Sequence, residues 1–335
     1  MKNKSGIKLK KPVYITSSAA IVGAKEGEGP LKDSFDMILT DDRFGEKTWE
    51  AAESRLQKET AALAMNKAHL GADDIDYVFA GDLINQCVAT HYGVRDFNIP
   101  FFGLYGACST MTEALSLAAV FTSAGYSKNS LALTSSHFCS AEKQFRYPLE
   151  YGGQRPPTAQ WTATAAGCAV VSANGEGPRI TYIMPGKIVD MGITDISNMG
   201  SAMAPAAVDT LLRLFRQTDY KPSDFDGIFT GDLGVIGSEI LLDKLMDYGI
   251  DICRNHHDCG KMLFDIEKQD VHSGASGCGC MASVLCGHIL PQMKNGKFKR
   301  IIAMATGALM NPTVILQGES IPAIAHAVII ENTEV

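Results

Sequence analysis

The sequence has no apolar run near the ~20 residues that a membrane-crossing helix needs, and it has no excess of positive charge. Among its 335 residues, 30 Lys and Arg stand against 37 Asp and Glu, a formal charge of −7. Such a chain lacks the basic footprint that nucleic-acid backbones attract, so no nucleic-acid partner is expected. Aromatic residues make up 8%, with two tryptophans. A disulfide framework is absent too, because the nine cysteines are odd in number and scattered from Cys87 to Cys286. That usage points to a reducing, cytoplasmic compartment. The basic lead-in (Lys2, Lys4, Lys8, Lys10, Lys11) does not open a secretory signal. The apolar stretch after it, Tyr14–Val22, is short and interrupted by Thr16, Ser17 and Ser18, and reads as a strand. Disorder is excluded by 46% apolar and 20% charged residues. What is there is enough chain for about two domains.

The chain repeats itself. Ile75–Leu83 (IDYVFAGDL) returns as Phe225–Leu233 (FDGIFTGDL), identical at five of nine positions and 150 residues on. Each copy reads as a short strand ending in a Gly-Asp turn. Gly125–Ser135 is echoed by Gly296–Thr306 at an offset of 171, where Gly106-Ala107-Cys108-Ser109 also falls on Gly277-Cys278-Gly279-Cys280. Three echoes in one order indicate a duplicated α/β half, with about 21 extra residues in the second copy around Arg254–Asp270. Helices are expected over Glu50–Ala68, Thr110–Ala124, Ala204–Arg216, Ser238–Tyr248 and Cys278–Gln292. Strands are expected over Val78–Ala80, Ser130–Ser135, Ala165–Ser172, Ile180–Met184, Ile301–Ala305 and Ala323–Ile330. The order suggests a mixed sheet in each half, covered by helices.

Cys108 lies in Gly-Ala-Cys-Ser-Thr, between a strand-like Ile99–Leu104 and an apolar helix. A thiol there sits at a helix N-terminus, where free N–H groups and the dipole lower its pKa and hold anions. The same small residues suit a cysteine that merely fills a core gap. Cys253-x-x-His256-His257-x-Cys259 has ligand-compatible spacing, yet without a repeated Cys-x-x-Cys pair it reads as a structural cluster, and no metal is expected. Trp161, Tyr151 and Tyr147 are candidates to stack on a ligand ring, or ordinary core aromatics.

A duplicated α/β half with this cysteine turn before a central helix resembles the thiolase and ketoacyl-synthase superfamily. More specifically, Gly23–Leu31 (GAKEGEGPL) and Glu142–Thr162 (EKQFRYPLEYGGQRPPTAQWT) resemble the stage V sporulation protein AD family. The resemblance implies a duplicated thiolase-like α/β/α/β/α fold with mixed sheets, here in halves 1–185 and 186–335. It implies binding of pyridine-2,6-dicarboxylate (dipicolinate), free or as its calcium chelate, and support for its uptake into the developing spore. The implied partners are other stage V sporulation A proteins at the spore inner membrane, with the chain peripheral on the cytoplasmic face and homodimeric. No cofactor is implied.

Condensing enzymes of the superfamily carry His-x-Ala-Asn after the second-half strand, where this chain reads Gly231-Asp232-Leu233-Gly234. Their Gly-Asn-x-Ser segment becomes Val271–Ser276 with His272, and the thiolase Cys-x-Gly-Gly-Gly becomes Met304–Ala308. Acyl transfer needs a base and oxyanion donors, so binding is expected rather than catalysis. His272 or His137 remains as a substitute base in the alternative, an acyl-thioester condensing enzyme with Cys108 as nucleophile. For a flat dianion, the expected contacts are Gly106, Ala107, Cys108, Ser109 and Thr110 in the turn. Ser136 and His137, after Ser135, end the next strand, on the side where such folds gather ligands. His272, Ser273, Ser276, Thr306 and Gly307 come from the second half. Arg146 is expected to supply a carboxylate clamp, with Arg155 as a companion. Both arginines also suit a solvated loop or a dimer contact.

Overall fold

A computed structural model describes residues 5–145 and 154–332. The first half contains β1 (Ile7–Val22), β2 (Met37–Ile38), α1 (Trp49–Lys67), β3 (Tyr77–Gly81), α2 (Val88–Val94) and β4 (Phe101–Gly103). It continues with α3 (Thr110–Ser123), β5 (Asn129–Ser136), α4 (Phe138–Phe145), β6 (Trp161–Thr162) and β7 (Ala165–Ser172). The second half contains β8 (Arg179–Met184), α5 (Met199–Gln217), β9 (Gly227–Gly231), α6 (Gly234–Met246), β10 (His256–Asp258) and α7 (Cys259–Met262). Then follow β11 (Ala275–Ser276), α8 (Cys278–Ser283), α9 (Leu290–Lys294), β12 (Arg300–Ala308), α10 (Pro312–Leu316) and β13 (Ala323–Glu331). One π-helical stretch, Val284–Ile289, joins α8 to α9.

Instead of a separate sheet in each half, one sheet joins both through the β1–β8 pairing, running β1-β7-β5-β3-β4 in the first half and β8-β13-β12-β9-β10 in the second, with β2 beside β1. In each, the first two pairings are antiparallel and the last two parallel. The duplication seen in the sequence is therefore a duplication of topology. By sheet position β8 opens the second copy, a few residues before the expected boundary at 185/186. The echoed aspartates show why the motif recurs. Asp76 Oδ2 accepts from the N–H groups of Lys128 and Asn129 at 2.6 and 3.2 Å. Asp226 does the same for Lys299 and Arg300 at 2.6 and 3.0 Å. Each carboxylate pins the start of the next parallel strand. The outer helices α1 and α5 likewise start 150 residues apart, capped by Thr48 and Asn198, whose side chains accept from Ala51 and Ser201 N–H.

The helices α3 and α8–α9 lie between the two sets of strands. Met111 and Leu115 of α3 and Met281 of α8 share one core with Phe79 of the first half and Phe229 and Ile301 of the second. On the far face of β12, Ile302 and Met304 pack against α5. Strands apolar on both faces suit this layered burial. The stretch expected to hold the extra residues contains β10 and α7, and β11 just beyond it pairs with β6 of the first half.

The central helix approaches β7 backbone to backbone. A Cβ at Gly167 would lie 2.2 Å from the Ala282 carbonyl, and one at Gly279 would lie 2.2 Å from the Ala165 carbonyl. Only glycine fits either place. Gly167→Ala is expected to cost about 2–3 kcal/mol by overpacking, measured by urea unfolding; an unchanged midpoint would show that the helix can retreat.

Candidate functional site

The Gly106–Thr110 segment forms the expected turn, one 3-10 turn over Ala107–Ser109 leading into α3. Ala107 takes a left-handed φ of +52°, a conformation that costs a residue with a Cβ on the order of 1–3 kcal/mol and tends to mark function. The second half closes on this turn from two sides. Cys278 donates its thiol proton to the Ala107 carbonyl at 3.0 Å, and a Cβ at Gly307 would meet the Gly106 carbonyl at 2.4 Å. Beside Ala107 and Cys108 opens a cavity of about 320 Å³, within the ~300–1,000 Å³ span of small-molecule sites. Its apolar walls include Leu83, Phe145, and Met199 and Met203 of α5. Polar groups come from Asn85, Tyr105, Gln144, Ser276 and Asn311. Among the described residues, no charged side chain and no histidine lines it.

Of the expected contacts, Ala107, Cys108 and Ser276 border the cavity. Several others are taken up by the fold. The Ser109 hydroxyl donates to the Gly106 carbonyl at 2.6 Å, and that of Thr110 to the Ala107 carbonyl at 2.6 Å. Ser136 donates to the Ala163 carbonyl and accepts from Gly279 N–H. Thr306 donates to the Gly231 carbonyl, and Ser273 accepts from Ile236 N–H at 3.4 Å. These hydroxyls build the turns instead of facing the cavity, because buried backbone groups must be paired.

The histidines lie elsewhere. His137 Nδ1 accepts from Cys139 N–H, so Nε2 carries the proton and donates to the Asp42 carbonyl at 2.9 Å. Burial lowers its pKa, and it stays neutral. His272 stands 3.3 Å from Asp270. Arg155 pairs with the same Asp270 at 3.3 Å and stacks on Trp161. Phe138 stacks on that ring at 3.9 Å, and Lys25 lies over it at 4.0 Å. Trp161 thereby joins Lys25, Phe138 and Arg155 in one cluster, and it is not among the residues lining the cavity. Arg146, Tyr147 and Tyr151 lie outside the described residues. Cys253 is exposed while Cys259 is buried, His256 bonds Thr230, and the described residues hold no cluster fit for a metal ion.

Sequence reasoning missed the methionine wall and the Ala308–Thr313 rim. The Met199/Met203 spacing of four at the start of an amphipathic helix was a usable signal.

Comparison with solved structures defines the class. The fold superposes on 3-oxoacyl-[acyl-carrier-protein] synthase III from Aquifex aeolicus VF5 with a TM-score of 0.61 at 13% identity, covering 95% of this chain and 99% of that one. Human mitochondrial 3-ketoacyl-CoA thiolase in complex with CoA gives a TM-score of 0.60 at 12% identity, covering 98% and 100%. This is the thiolase-like fold. Within it, the Stage V sporulation protein AD (SpoVAD) family model matches residues 3–331. Stage V sporulation protein AD of Bacillus subtilis (strain 168) is 44% identical over 321 residues, 96% of this chain and 95% of that protein. The chain belongs to the Stage V sporulation protein AD family and is a sporulation protein.

Buried carboxyls ring the first-half strand ends. Glu53 is fully buried, accepts from the Ser135 and Ser140 hydroxyls at 2.8 and 2.5 Å, and is pushed up to about 8 by burial and by Asp82. Glu26, buried with one oxygen on Thr164 N–H, is also raised to about 8, chiefly by burial. Because these values exceed the ordinary 4.5, the folded chain binds more protons than the unfolded chain between the two. Stability is then full below about pH 4.5 and falls as pH rises toward 8. Glu53→Gln is expected to flatten the decline in melting temperature between pH 5 and 9; an undiminished slope would show Glu53 to be ionised in the fold.

Proposed function

We propose that the cavity beside Cys108 binds dipicolinate, and that the protein supports its uptake into the developing spore together with other stage V sporulation A proteins at the inner membrane. The observation that carries the reading is the lining itself, apolar walls broken by amides and hydroxyls next to a cysteine turn with no histidine among the described lining residues. A planar aromatic acid fits thioether and phenyl walls, with its carboxyl oxygens toward Asn85, Asn311 and Ser276. A lining free of charge among the described residues favours the neutral calcium chelate over the free dianion, which would lose its hydration without a counter-charge. Family membership supports the setting in spore formation. Among the described residues no helix is long and apolar enough to cross a membrane, so contact with the membrane is assigned to partner proteins.

Titration calorimetry with dipicolinate, with and without equimolar calcium, tests this. Saturable heat is expected, tighter with calcium and abolished in Ser276→Phe, which fills the cavity. No heat at millimolar ligand would remove the reading. The second reading, acyl transfer through Cys108, is favoured by the cysteine's place at a helix N-terminus. It predicts a mass adduct after incubation with acyl-coenzyme A that Cys108→Ala abolishes.

The homodimer is proposed along β4. That strand ends the first-half sheet, and Phe102 on it is 43% exposed and stacked at 5.1 Å on Phe79. Tyr126, 72% exposed, extends the aromatic patch through Phe121. An open apolar edge invites pairing with a second copy. Phe102→Lys is expected to convert a dimer to a monomer in sedimentation velocity; a monomeric parent protein would refute the interface.

A further inference from the structure

The three side-chain amides of the cavity all face the fold with the same end. Asn85 lies in the β3–α2 loop, Gln144 on α4, and Asn311 just before α10. Asn85 Oδ1 accepts from the Tyr105 hydroxyl at 3.0 Å. Gln144 Oε1 accepts from Asn85 N–H at 3.0 Å. Asn311 Oδ1 accepts from Val314 N–H at 3.2 Å and so caps α10. A backbone N–H can only donate, so it fixes which end of the Gln144 and Asn311 amides is turned toward it. What remains of each amide is its NH2 group, which no other described residue engages.

Acceptors at the cysteine turn are spent as well. The Ala107 carbonyl receives the Thr110 hydroxyl at 2.6 Å and the Cys278 thiol at 3.0 Å, which fills both its lone pairs. The rim is also set in advance. Tyr105 holds Asn85, and Asn85 in turn holds Gln144, so three segments are tied together at the mouth. Gln86 and Cys87, next along the chain, have left-handed φ of +62° and +52°, a conformation that is costly for residues with a Cβ and tends to mark function. The Cys87 thiol anchors this bend on the Leu104 carbonyl at 3.1 Å.

We propose that Asn85, Gln144 and Asn311 set the specificity of the cavity, selecting ligands whose edges carry only acceptors, carboxylates above all, and rejecting their carboxamide counterparts. A carboxylate meets three NH2 donors and takes bonds strengthened by its charge. A carboxamide turns an NH2 of its own toward them, and donors that face each other in a closed site stay unpaired. The hydroxyls of the lining can turn to either role, so the choice lies with the amides. This inference rests on the reading that the cavity takes a small acid, and adds which groups choose it.

Calorimetry on the full chain tests it with pyridine-2,6-dicarboxylate, benzene-1,3-dicarboxylate and the dicarboxamide of each, with and without calcium. The parent protein is expected to bind at least one diacid about tenfold or more tighter than its diamide. Asn311→Asp keeps an oxygen for Val314 N–H, and Gln144→Glu keeps one for Asn85 N–H, so melting temperatures are expected to hold. In both variants an acceptor replaces a donor, and the ratio of acid to amide affinity is expected to fall about tenfold or more. Asn311→Ser, neutral and able to cap, is expected to weaken the diacid without improving the diamide, which separates the lost donor from the added charge. A merely structural role would weaken acid and amide alike, and an unmoved ratio overturns the inference. Equal binding of acid and amide by the parent protein, or no binding of any probe, overturns it too. Should only the benzene diacid bind, the dipicolinate reading falls and the inference stands. Should dipicolinate bind no tighter than its diamide, the reading stands and the inference falls. If Gln144→Glu melts early, the parent ratio and the two Asn311 variants decide by the same criteria.

Discussion

The contact on which the arrangement depends is the backbone approach of the central helix to β7. With glycine at 167 and 279, the start of α8 lies against the strand with no side chain between them. That depth brings the Gly277–Cys278 turn onto the Cys108 turn, where the Cys278 thiol bonds the Ala107 carbonyl. The cavity exists because two helix starts from two copies of one half meet there, each preceded by a strained or glycine-borne bend. A bulkier residue at either glycine would separate the turns, and the site would lose its floor before the protein lost its fold.

Much of this was legible in the residues. The recurring Asp-x-x-Phe-x-Gly-Asp-Leu pattern reported the duplication because Asp76 and Asp226 do the same job in both copies. The strand Ala165–Ser172 matched its expected bounds because eight small and apolar residues between turn signals leave little choice. The turn at Cys108 was marked by its glycine and by the apolar helix after it. What stayed hidden was the direction of side chains. Ser109, Ser136 and Thr306 look like ligand donors in one dimension, but each is nearer a carbonyl that needs a partner. The methionine wall comes from α5, almost a hundred residues after Cys108, and only tertiary packing brings it there.

The two Gly-Asp turns show why identity within a repeat does not mean identical roles. Asp82 and Asp232 occupy the same backbone position, yet their oxygens meet different surroundings. In the first half the nearby Thr90 supplies an N–H and a hydroxyl. In the second, Asp258 on the neighbouring strand accepts from the N–H groups of Leu233 and Gly234 and from the Thr230 hydroxyl. One backbone turn, used twice on one scaffold, can thus hold carboxyls with different duties.

The first strand has a consequence for the order in which the molecule assembles. β1 pairs with β7 along Tyr14–Val22 and with β8 near its own start, so a strand made before the rest of both copies belongs to the seam between them. It waits about 150 residues for β7, and β8 follows only after it. The second copy then closes with β13, which slots between β8 and β12 and comes after both in the chain. Neither copy is a module that a cut between them would release intact, since the seam strand would leave with one and be missing from the other. The duplication left two halves that are equal in plan and joined at birth.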